Sequence, residues 1–151
     1  MKFTPSKVNI FLLAKLPSAY LSGVRMKSIT EDKTVVTVRH RWINQNPFKS
    51  IYWAVQGMAS ELTTGMLVMK QIADSGKKIS MLVTHQSGTF TKKARGKITF
   101  TCNDGPKIKQ AIDKTIVTGE GETITLISEG VDESGDNVSR FEYEWSVKAK
   151  K

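Results

Sequence analysis

Apolar residues recur along this chain with two periods, and the change from one to the other divides it into elements. From Ser50 to about Ala73, Ile51, Val55, Met58, Ala59, Leu62, Met66 and Met69 fall at spacings of three and four, the mark of one apolar helical face. On a wheel of about 100° per residue this stripe spans roughly 60° to 200°, with Tyr52, Gln56, Ser60, Thr63, Lys70 and Gln71 across from it. Glu61 falls near 40° on that wheel, beside the stripe, with Gly57 and Gly65 four residues to either side. Asp74-Ser75-Gly76 supplies the stop, glycine being common just past a helix.

Elsewhere the period is two. Val24 to Ile29 and Thr34 to Ile43 predict a hairpin, the second strand carrying Val36, Val38, His40 and Trp42 on one face. Ile79, Met81, Val83 and His85 alternate with Ser80, Leu82 and Thr84, and Gln86-Ser87-Gly88 predicts a bend or bulge. Ile98, Phe100 and Cys102 share a face. Thr123 to Ser128 and Arg140 to Ala149 form a last pair, with Phe141, Tyr143, Trp145, Val147 and Ala149 alternating. Short helices are expected from Thr4-Pro5 to about Leu16, ended by Pro17, and after Asn103-Asp104-Gly105-Pro106. About six antiparallel strands and one long apolar helix predict an α+β domain, the sheet covering its apolar face with that helix.

At 151 residues the chain suits a single domain, 1–151, with a core that needs no metal or disulfide staple. The single cysteine, Cys102, excludes an internal disulfide and any paired-cysteine metal site. Lys15 and Pro17 interrupt the run Ile10 to Ala14, leaving no signal-peptide core and no bilayer-spanning segment, so a cytoplasmic location and no membrane partner are expected. The net charge of +9 suggests an anionic partner: nucleic acid, an acidic surface or a phosphorylated small molecule. No basic run is interleaved with exposed aromatics, and no nucleic-acid partner is expected.

The loop and helix resemble those of hotdog-fold acyl-CoA thioesterases of the phenylacetate-pathway type and their tetrameric relatives. In that family an asparagine is followed six residues later by a histidine and two glycines, and nine residues after the histidine by an acidic residue. Asn46 matches the asparagine and Glu61 the acid; Tyr52 stands at the histidine position and Trp53-Ala54 at the glycines. The resemblance implies a hotdog fold, a curled sheet around the central helix, and hydrolysis of an acyl-CoA thioester without a cofactor or metal. Glu61 would be general base or nucleophile, and the Trp53 amide would be the oxyanion donor at the helix start. Asn46 would hold water or carboxylate, with Tyr52 beside it. At 1.5 Å per residue Glu61 lies about 12 Å along the helix from Trp53. The family meets this by sharing each site between the subunits of a homodimer, and pairing of dimers into tetramers stays open. Gly57, Gly65 and Met58 would line the acyl path, and Lys92, Lys93 and Arg95 would receive the CoA phosphates.

Plainer readings stand beside these. Glutamate is a good helix former and suits a solvated face; Asn46-Pro47 makes a turn; Tyr52 and Trp53 suit packing at a seam. His40 and His85 read as core or interface residues and Cys102 as buried. A non-catalytic protein that binds acyl-CoA or a fatty acyl ligand is the alternative function.

Overall fold

A computed structural model describes residues 2–151. Its helices are α1 (Pro5–Lys15), α2 (Pro17–Leu21), α3 (Trp53–Ser75) and α4 (Gly105–Thr118), with one 3₁₀ turn at Trp42–Asn44. The strands are β1 (Arg25–Ile29), β2 (Thr34–Arg39), β3 (Ile79–Phe90), β4 (Lys97–Cys102), β5 (Glu122–Val131) and β6 (Asn137–Ala149). They form one sheet in the order β1-β2-β4-β5-β6-β3, every pair antiparallel. The sheet curls around α3, so the α+β architecture expected from the two periods is the one observed.

Local chemistry sets the ends of these elements. The Thr4 hydroxyl accepts from the Lys7 amide at 3.3 Å and Pro5 takes the first helical position, where its missing N–H costs nothing. Pro17 ends α1, as expected, and for the same reason opens the short α2. Gly76, at φ 68°, closes α3 in the left-handed region that side chains with a Cβ avoid.

Three expectations need correction. β2 stops at Arg39, so His40 and Trp42 are not strand residues; Trp42 sits on the 3₁₀ turn and is 84% exposed. β3 does not bend at Gln86-Ser87-Gly88 but runs on to Phe90. Its irregularity comes earlier, between Val83 and His85. The extra residue reverses the alternation, so His85 pairs with Glu144 on the outer face instead of following Met81 and Val83 inward.

The third concerns α3. Of the polar residues set across from the apolar stripe, Gln56, Ser60, Thr63 and Gln71 are buried, as is their neighbour Thr64. Each of four meets a polar partner on the sheet: the Ser139 hydroxyl donates to Gln56 Oε1 at 2.8 Å, and the Ser60 hydroxyl lies 2.6 Å from the Tyr143 phenol. Thr63 donates to Ser128 at 2.8 Å, and the Trp145 indole donates to Thr64 at 2.9 Å. A polar face can pack against β5 and β6 because every group on it finds a partner, and burial without one would be costly.

Candidate active site

The loop before α3 is tied together by Asn46. Its Oδ1 accepts from the amides of Phe48 at 2.9 Å and Ser50 at 3.2 Å, and from the Ser50 hydroxyl at 3.1 Å. The loop closes so tightly that Lys49 takes φ 60°, a conformation that costs energy for a residue with a side chain. Ile51 then donates to the Ala94 carbonyl at 2.9 Å and Tyr52 to that of Asn44 at 2.9 Å. Val55 and Gln56 turn back to the Tyr52 carbonyl as α3 begins, while the amides of Trp53 and Ala54 have no acceptor among the described residues. Two free N–H groups at the positive end of a 23-residue helix are suited to polarise a carbonyl.

A cleft of about 420 Å³ opens at this helix start. Asn46, Tyr52, Trp53, Gln56, Phe90 and Lys93 are among the residues that line it. Tyr52 and Trp53 are both about half exposed and meet edge to face, with ring centroids 6.1 Å apart. Phe90 and Lys93, from the end of β3 and the segment beyond it, lie some forty residues away in sequence; Lys93 was expected to meet the CoA phosphates, whereas Phe90 was not legible as a partner of this loop. The Lys93 ammonium stands 5.9 Å from the Phe48 ring centre.

The three basic candidates divide. Lys92 also reaches the cleft, but its ammonium bonds Asp132 at 2.6 Å and Asp136 at 2.7 Å, hydrogen bonds that hold its pKa above the usual lysine value. Arg95 does not line the cleft but a neighbouring depression with Glu133 and Ser134, which Lys92 and Lys93 also border. Lys93 forms no ion pair among the described residues.

Glu61 is in a different place. Along the first half of α3 Trp53, Ala54, Gly57, Met58 and Glu61 are the residues that are not buried, one strip at four-residue spacing between buried neighbours. Glu61 is half-buried in that strip, its carboxylate has no hydrogen bond or ion pair among the described residues, and burial pushes its pKa up from the usual carboxylate value. Tyr143, pushed up to about 12 by burial with Glu61 nearby as a smaller cause, stays neutral and donates to the Gly57 carbonyl at 3.1 Å.

The two glycines beside Glu61 differ. A Cβ on Gly65 would stand 3.2 Å from both Glu61 Oε1 and the Trp145 ring, so this glycine lets the indole and the carboxylate lie close to the helix. A Cβ on Gly57 would meet nothing within 4 Å, so its bareness serves no packing within the chain. Gly57→Ala should therefore stabilise the fold by about 0.5–1 kcal/mol through helix propensity. Denaturant unfolding measures this, and a loss of stability would show that the space beside Gly57 is filled.

The model of the family described as "Domain of unknown function (DUF4442)" matches residues 7–147. Among solved structures, PA5026 of Pseudomonas aeruginosa, described as a probable thioesterase, superposes with TM-score 0.82 at 20% identity, 97% of each chain being covered. The protein OLEI01261 of Chlorobaculum tepidum, of unknown function, gives TM-score 0.81 at 16% identity over 97% of this chain and 98% of that one. Thioesterase HI1161 of Haemophilus influenzae gives 0.68 at 12% identity, with 99% and 93% covered. No curated protein matches. The fold of these neighbours is the hotdog, and with a family model running through nearly its whole length the chain belongs to the DUF4442 family.

Proposed function

We propose that this protein is an acyl-CoA thioesterase that works as a homodimer with shared sites. The observation that carries the reading is Glu61: an unpaired carboxylate held half out of water on the open strip of an otherwise buried helix. A group placed at such a cost is a candidate for chemistry. Glu61 acts as general base on a water, or as nucleophile, toward a thioester carbonyl polarised by the free amides at the start of α3. Asn46 keeps the loop in the shape that presents those amides. The acyl chain runs past Gly57 and Met58, where the strip is open, while Gly65 lets the carboxylate lie back against the helix. Of the basic residues, Lys93 is the one free to meet a CoA phosphate.

Within one chain the carboxylate and the free amides are separated by about two turns of helix, roughly 12 Å. A second copy would bring its own Glu61 to the cleft. The long β3 edge, which has no strand on its outer side among the described residues, and the half-exposed Trp53 and Phe90 give that copy a surface. The test is acyl-CoA hydrolysis over a range of chain lengths, read by thiol release. Turnover by the natural protein with loss of about a hundredfold or more in Glu61→Gln is expected. A Gln variant as active as the parent removes Glu61 from the mechanism.

The presence of Tyr52 and Trp53 at the cleft, where a histidine and glycine stand in the thioesterases the loop resembles, favours one other reading: a protein that binds an acyl ligand without hydrolysing it. Saturable CoA binding with no turnover at any chain length would select that reading.

A further inference from the structure

We propose that the face made by α1, α2 and the 3₁₀ turn docks on an anionic lipid bilayer. Six large apolar side chains stand out from it: Ile10, Leu13, Leu16, Leu21, Trp42 and Ile43, all more than 40% exposed. On α1, Val8 and Leu12 are fully buried while Ile10 and Leu13, one turn apart, point the other way, so this helix is apolar on both sides. The 3₁₀ turn is fastened to the end of α2, because the Asn44 side chain donates to the Ser22 carbonyl at 2.9 Å and the Arg39 carbonyl at 2.8 Å. The turn that carries Trp42 and Ile43 is thereby fixed to Ser22, the residue after Leu21.

Charge complements that apolar surface. Residues 1–30 contain no aspartate or glutamate. Residues 1–60 hold nine basic and two acidic side chains, +7 of the chain's +9. Lys7 lies one turn before Ile10, Lys15 precedes Leu16 and Arg41 precedes Trp42; all three are exposed and form no ion pair among the described residues. The basic groups are interleaved with the apolar ones instead of lying on a separate side.

The combination selects a bilayer over other anionic partners. A second copy joined by a two-fold axis would set this basic patch against itself, positive face against positive face. A nucleic acid could stack on Trp42 but offers nothing to the five aliphatic side chains. Aliphatic tips for the acyl boundary, a tryptophan for the headgroup level and cations for anionic lipid are what a surface-bound protein needs. The expectation of no membrane partner rested on the lack of a spanning run, and no described helix is long and apolar enough to cross. Lying on the surface requires no such helix.

Co-sedimentation of the full chain with vesicles tests this, using phosphatidylcholine alone and phosphatidylcholine with about a third phosphatidylglycerol. The protein should pellet with the anionic vesicles only, and less as salt rises. Trp42→Ser with Leu13→Ser, and separately Lys7→Glu with Lys15→Glu, should each lower partitioning about tenfold or more, with circular dichroism and melting unchanged because the sites are exposed. Failure to pellet, or pelleting that neither pair of substitutions alters, overturns the proposal. So does a change in oligomer size in the Trp42→Ser, Leu13→Ser variant without vesicle binding, which would make the face an interface between copies. Salt-sensitive RNA binding without vesicle binding would also overturn it.

Discussion

Glu61→Gln should melt higher than the natural protein at neutral pH while losing about a hundredfold or more of its hydrolytic activity. The carboxyl is raised by desolvation, so its folded pKa lies above its unfolded one and the folded state favours the protonated form. That preference contributes stability in full below the unfolded pKa. It is lost as pH rises through the folded value, where the group ionises at a cost. Glutamine keeps the shape and never ionises. The two proteins should therefore melt together in acid, separate as pH rises from the unfolded carboxyl pKa to the raised folded one, and keep a constant gap above it. The expected gap at neutral pH is about 1 kcal/mol, or about 3 °C in Tm. The same titration should appear in the rate, activity rising with pH through the raised pKa because the ionised form is the one that reacts. Melting curves that stay parallel at every pH would mean that Glu61 is no burden to the fold.

The largest loss of stability is expected at Phe141. Its ring is 1% exposed, meets Phe90 edge-on at 5.5 Å and Phe100 at 6.2 Å, and lies parallel to Tyr143 at 6.0 Å. It also fills the space over Gly88, where a Cβ would come within 2.9 Å of it. This one side chain joins β3, β4 and β6 beneath α3, and it stands next to Phe90 at the wall of the cleft. Phe141→Ala should cost about 3–5 kcal/mol, a large part of the 5–15 kcal/mol typical of a domain. Denaturant unfolding reads it directly; a loss under about 1 kcal/mol would show that the neighbouring rings close over the gap. Phe141→Leu, which keeps most of the volume, should recover more than half of the loss.

The helical period of α3 and the alternation of β5 and β6 were readable because each is long and each exposes a consistent face to one neighbour. The wheel for α3 could not show that its polar side is also buried. Ser60 and Thr63 read as solvated until Tyr143 and Ser128 are known to stand opposite them, and those partners lie more than sixty residues away. The bulge in β3 was expected a few residues late, because one inserted residue leaves almost no mark in the sequence beyond the phase reversal at His85. At the site, Asn46, Tyr52 and Trp53 are brought together by the local loop, so spacing alone could group them. Phe90 and Lys93 join them only through sheet topology. The paired glycines were read alike, yet Gly65 serves Trp145 and only Gly57 faces open space.

The central claim is that the carboxylate on α3 and the amides at its start belong to one site built by two copies. Glu61→Gln and Asn46→Ala, unfolded together, mixed in equal amounts and refolded, test it most directly. Each variant alone should be nearly inactive. Half of the randomly formed dimers would be mixed, and each would hold one site with both Glu61 and Asn46 intact, so the mixture should recover about a quarter of the natural activity. Activity no greater than the sum of the two variants would contradict the claim and confine the site to a single chain.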